Sequence, residues 1–169
     1  MHQPRLSPLF YALLLVLFTA QCAKPRTELV VTVRTDLPWG PGQELQALTL
    51  TVRRGGPTGV VRFGQTSALG RGQGWQLPLA FGLSPADDTD LTPLWIEAFG
   101  CAAPDASACT ADRAVVVQRA LVTYRPDQIA YADLWLTRAC AGVTCGAASR
   151  CAPTTGLCEP AALADREVR

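Results

Sequence analysis

Leu48-Thr49-Leu50-Thr51-Val52-Arg53 alternates apolar and polar residues, and Leu29-Val30-Val31-Thr32-Val33-Arg34 repeats the pattern with Leu29, Val31 and Val33 in phase. A period of two sends successive side chains to opposite faces, which marks half-buried strands. Working outward, the same pattern predicts strands at 59–64, at 75–81 with Trp75, Leu77, Leu79 and Phe81 in phase, and at 92–99 with Leu94, Ile96 and Ala98 in phase. Two more follow at 114–124 and at 128–137, the latter with Leu134 and Leu136 in phase. Turn residues separate them: Gly55-Gly56-Pro57, Gly70 to Gly74, Ser84 to Asp88, and Arg125-Pro126-Asp127, which suits a tight hairpin joining the last two strands. Seven short strands with no crossover helix predict an all-β fold, an antiparallel seven-stranded immunoglobulin-like sandwich over 28–138. A small barrel is the alternative. Pro78 cannot donate to a ladder, so strand 75–81 belongs at an edge or carries a bulge.

The 169 residues are 49% hydrophobic and 17% charged, which fits one folded domain with appendages and excludes a charged disordered chain or a coiled coil. Residues 1–21 read as an export signal: His2 and Arg5 precede the apolar run Leu9 to Phe18, and small residues Thr19 and Ala20 lead to Cys22. The run is too short for a membrane span, which needs about 20 apolar residues. Cleavage before Cys22 removes the single His, and acidic and basic residues then balance, so nucleic acid is not an expected partner.

The cleavage region resembles the lipobox of bacterial lipoproteins, with Gln21 departing from the small residue usual before the Cys. That resemblance implies acylation of Cys22, a tether over 22–27 and attachment to a membrane. Ala23 in place of Asp points, by analogy with lipoprotein sorting, to the outer membrane. Lipidation also accounts for the odd thiol among seven cysteines. The other six lie beyond an export signal, where disulfides persist. Cys101 and Cys109 enclose a small polar loop and are expected to pair with each other. Cys140, Cys145, Cys151 and Cys158 form a cysteine-rich module over 139–160, and zinc is disfavoured because close Cys spacing is needed in both halves and no His is available. Three connectivities are open to four cysteines. The module resembles short EGF-like or follistatin-type units, and that resemblance implies Cys140–Cys151 and Cys145–Cys158. Residues 161–169 read as a loose tail.

The whole layout resembles myxobacterial-type outer-membrane lipoproteins. Thr27 to Val31 matches their first strand after the lipid Cys, and Leu134 to Cys145 matches the segment joining sandwich to cysteine module. The resemblance implies a cell-envelope location and brings no catalytic residues.

Without His, Ser-His and Cys-His catalysis have no base in the mature chain, and Lys24 lies too close to the lipid for a Ser-Lys pair. Asp87-Asp88-Thr89-Asp90 offers hard oxygen ligands for calcium, but lacks the Gly and terminal Glu of a helix-loop-helix site and reads as an Asx turn. Gly70, Gly72 and Gly74 lack the strand-then-helix context of a phosphate cradle. Arg53, Arg54, Arg62 and Arg71 suit a charged strand edge. Trp95 and Trp135 fall on the polar phase of their strands, beside Glu97 and Asp133. Aromatic residues on an outer face suit a glycan or an envelope protein partner. The chain is therefore expected to be a non-enzymatic binding or structural module without a cofactor or metal. A protease inhibitor presenting the 101–109 loop, or a hydrolase using carboxylates at 87–90, are the alternatives.

Overall fold

A computed structural model describes residues 26–163 except 71, 73 and 88, so Cys22, Lys24, Arg71, Asp88 and the end of the tail lie outside the described residues. The chain is all-β. Its strands are β1 (Glu28–Thr35), β2 (Ala47–Arg54), β3 (Val60–Ala68), β4 (Leu79–Leu83), β5 (Leu94–Cys101), β6 (Val116–Val122), β7 (Ile129–Leu136), β8 (Ser149–Cys151) and β9 (Cys158–Pro160). They form a three-stranded sheet in the order β4-β1-β7, a four-stranded sheet in the order β3-β2-β5-β6, and the small pair β8-β9.

The inward phases of the two larger sheets meet in one apolar core. Leu29, Val31 and Val33 of β1 and Ala130, Ala132, Leu134 and Leu136 of β7 pack with Leu48, Leu50 and Val52 of β2 and Ile96 and Ala98 of β5. Each large aliphatic side chain so buried contributes about 1.5–3 kcal/mol. Pro78 does limit its strand: β4 begins after it, at Leu79, and takes a sheet edge.

Three details differ from the sequence expectation. First, β1 pairs with β7 in parallel, while the other pairings of these sheets are antiparallel. The long chain segment between them supplies the connection a parallel pair needs. In immunoglobulin constant domains strands one, two, five and four share a sheet, and three, six and seven the other; here the order is different. Second, Arg125-Pro126-Asp127 does not close a hairpin. β6 bonds to β5 and β7 to β1, so this turn, with Asp127 at φ 55°, carries the chain from one sheet to the other. Third, the start of the tail is held: Leu121 N–H donates to the Ala161 carbonyl at 2.8 Å and Leu163 N–H to the Leu121 carbonyl at 3.2 Å.

The disulfides are Cys101–Cys109, Cys140–Cys151 and Cys145–Cys158, with Cα separations of 5.5, 5.8 and 5.6 Å. Cys140 and Cys151 are buried within the main core. Cys101 and Cys109 form a second cluster with Ala47 and Phe99, so the loop between β5 and β6 folds back over the outer face of the four-stranded sheet. The Thr49 hydroxyl donates to the Cys109 carbonyl at 3.1 Å and fastens the loop there.

Candidate functional site

The outer phase of β7 is Ile129, Tyr131, Asp133 and Trp135, and in register beside it on β1 stand Glu28, Val30, Thr32 and Arg34. Asp133 accepts from Arg34 Nε at 3.2 Å, and the guanidinium carbon lies 5.6 Å from the centre of the Trp135 ring. The ion pair thus places a cation over the indole face, an attraction worth about 0.5–1 kcal/mol at an exposed site. Trp135 is 39% exposed, as its outward phase requires.

Beyond Trp135 the chain enters the cysteine module, which builds the opposite wall. The Thr137 hydroxyl donates to the Pro153 carbonyl at 3.0 Å, and Arg138 N–H donates to Asp36 at 2.8 Å. Across β8 and β9, Arg150 faces Glu159 and pairs with it at 2.8 Å. Between these walls lies an open groove of about 730 Å³, lined by Trp135, Asp36, Thr137, Arg150, Glu159 and Pro153 among others. Its volume falls within the roughly 300–1,000 Å³ usual for ligand sites. Trp135 also lines a smaller depression with Arg34, Trp39 and Pro78, so both sides of this residue border concave surface.

Gln118 locks the two walls together. It occupies the inward phase of β6 between Val116 and Ala120 and is almost wholly buried. Its Nε2 donates to the Trp135 carbonyl at 3.1 Å and to the Cys151 carbonyl at 2.9 Å, while its Oε1 accepts from Arg119 N–H at 3.1 Å. A polar residue in an otherwise apolar phase was the signal for it in the sequence. Gln118→Leu is expected to leave one buried and one part-buried carbonyl short of a donor and to cost about 1–3 kcal/mol. Chemical denaturation checks this; a variant as stable as the parent would remove Gln118 as the lock.

Trp95 does not join this surface. It sits on the outer phase of β5 but is only 3% exposed. Arg53 and Leu121 flank it in register, Leu121 is bonded to the tail segment, and the disulfide loop covers the same face further along. The outer face of an interior strand is here a second buried face, so the expectation that Trp95 forms an exposed patch with Trp135 is corrected. The two residues belong to different sheets.

The acidic loop closes on itself. Asp87 accepts from Thr89 N–H and the Thr89 hydroxyl, both at 2.9 Å, and Asp90 accepts from the Thr92 hydroxyl at 2.7 Å and from Arg54 at 2.9 Å. These bonds, led by the Thr89 backbone for Asp87 and the Thr92 side chain for Asp90, hold both carboxyls below their ordinary values. Asp105 in the disulfide loop is lowered likewise, chiefly by the Ser107 hydroxyl. Arg53 and Arg54 end β2 and Arg62 lies beside them near the start of the edge strand β3, each engaged: Arg54 meets Asp90, Arg62 donates to the Ser84 carbonyl, and Arg53 to the Gly59 carbonyl. After Gly70, Gly72 and Gly74 comes an isolated bridge at Trp75, with no helix to receive a phosphate. No protein family, curated protein or solved structure matches the chain.

Proposed function

We propose that this chain is a non-enzymatic lipoprotein of the cell envelope, acylated at Cys22, held at the outer membrane and displaying the Trp135 groove to a glycan chain. The observation that carries the reading is the groove itself, where an indole stands among carboxylate, guanidinium and hydroxyl groups. Aromatic faces stack on the apolar side of sugar rings while such polar groups meet the hydroxyls. A binding role suits this groove better than catalysis, because its two carboxylates are engaged, Asp36 with Arg138 N–H and Glu159 with Arg150. The resemblance of the sequence layout to myxobacterial-type lipoproteins supports the envelope location. The two packed sheets and seven strands support a sandwich akin to the immunoglobulin class in its layers, with its own strand order.

Titration of the protein with envelope polysaccharide fragments, followed by tryptophan emission, tests the ligand. Trp135→Ala is expected to weaken binding by about 2 kcal/mol, roughly 30-fold, with little change in melting temperature. Binding that survives the substitution would move the site elsewhere. Binding of envelope proteins but of no glycan would replace the ligand class. For the anchor, Cys22→Ser is expected to release the protein from membranes or stall the unprocessed precursor. Normal processing together with membrane fractionation of that variant would sink the lipoprotein reading.

A further inference from the structure

The end of the fold at which β1 starts can be traced through both sheets. Glu28 lies beside Ile129 at the start of β7, and Leu29 beside Leu83 at the end of β4. In the other sheet Arg54, at the end of β2, lies beside Val60 and Leu94, where β3 and β5 begin. Arg62 bonded to the Ser84 carbonyl, and the short 123–128 link from β6 to β7, join these into one end of the molecule.

Exposed large apolar side chains gather there. Val60 is 78% exposed and Ile129 46%, with Val61, Phe63 and Tyr131 close behind in the same halves of β3 and β7. Trp135 and Leu157 are the other two such residues among those described, and they lie away from this end: Trp135 faces Arg34 near the end of β1, and Leu157 follows Gly156, which packs on the Ala139 carbonyl just beyond β7. Cys22 precedes Glu28 by six residues, so an acylated Cys22 keeps this end within about 20 Å of the lipid even with the tether fully extended.

We propose that this end of the fold sits on the bilayer, with Val60, Val61 and Ile129 entering the headgroup boundary on either side of β1. The proposal rests on the anchor reading above and adds the contact surface and orientation that the anchor alone leaves free. Large apolar side chains left in water beside a lipid anchor gain about 0.8 kcal/mol for each methylene they bury. Charge does not drive the contact. Arg26, Arg53, Arg54, Arg62 and Arg125 at this end are interspersed with Glu28, Asp87, Asp90 and Asp127 and come close to balance, so neutral and anionic lipids should serve nearly alike. β1 spans about 25 Å at roughly 3.3 Å per residue, which holds the Trp135 groove away from the membrane.

The test uses the full chain as purified from envelopes, reconstituted into phosphatidylcholine vesicles whose acyl chains carry bromine. Mass analysis of the peptide bearing Cys22 is made on the same sample. Val60→Trp and Ile129→Trp are expected to show about twofold more bromine quenching than the parent protein, as insertion of ~5–10 Å would give, while Leu157→Trp shows none in excess. The same result is expected with phosphatidylglycerol added. An acylated Cys22 with the two new indoles unquenched, or with Leu157→Trp quenched equally, overturns the seating and leaves the anchor intact. Absent quenching together with a doubled particle mass assigns these residues to contact between two copies and overturns it as well. An unmodified Cys22 overturns the anchor, and the seating falls with it.

Discussion

Trp95→Ala is expected to lower stability by about 3–5 kcal/mol, the usual cost of emptying a core aromatic site. Trp135→Ala is expected to leave stability almost unchanged. Both tryptophans lie on outer phases of their strands, yet Trp95 is covered by its neighbours and Trp135 borders open grooves. The melting temperature of the Trp95 variant should fall by roughly 10 °C or more for a domain of this size. Acrylamide separates the pair independently, since it should reach Trp135 and be shielded from Trp95. A Trp95 variant as stable as the parent would show that the covering groups are loose.

The second large effect is expected at Cys140 and Cys151. Changing both to Ala removes a bridge whose sulfurs pack in the same core as Leu134 and Leu136, and should cost about 2–5 kcal/mol. On sequence grounds the cysteine module is expected to unfold on reduction before the sandwich does. The structure alters that order for this bridge, because Gln118 bonds the Cys151 carbonyl from within β6 and the tail segment bonds Leu121. Amide exchange should therefore show β6 and residues 149–160 losing protection together. Loss of the proposed glycan binding should accompany it, since Arg150 and Glu159 form one wall of the groove. Protection of β6 that outlasts the module by orders of magnitude would restore the independent-module picture. Removing Cys145–Cys158, whose Cys158 end is exposed, should cost less.

The strands were legible where one face of a sheet meets the core and the other meets water or a thin cover. Leu29, Val31 and Val33, and Ala130 to Leu136, keep their period-two pattern for that reason. β5 is the instructive failure. Leu94 to Cys101 is buried on both faces except at Glu97, so its phase tells which side of the sheet a residue takes without telling whether water reaches it. Glu97 itself is held by Arg119 at 2.7 Å, and Arg119 also donates to the Cys145 carbonyl at 3.2 Å. That contact depends on where the module folds, which no local pattern encodes. The groove was illegible for the same reason. Asp36 is remote in the chain from Trp135, Arg150 and Glu159, which sit on separate elements, and the parallel register of β1 with β7, the Cys140–Cys151 bridge and Gln118 bring them together. Of these only Trp135 stood out, as an aromatic residue on a polar phase.

The parallel pairing of β1 with β7 also fixes how the molecule would bear tension. A pull from an anchored N-terminus enters β1 at Glu28, and a ligand gripped at Trp135 draws on β7 near its far end, opposite Arg34. The two forces then run along the ladder in opposite directions, and the rungs from Glu28–Ile129 to Thr35–Leu136 share the load in shear instead of opening one after another like a zip. Such a strand pair gives way only when many rungs fail at once. Were the proposed anchor and the proposed ligand both engaged, the fold between them would act as a stiff link.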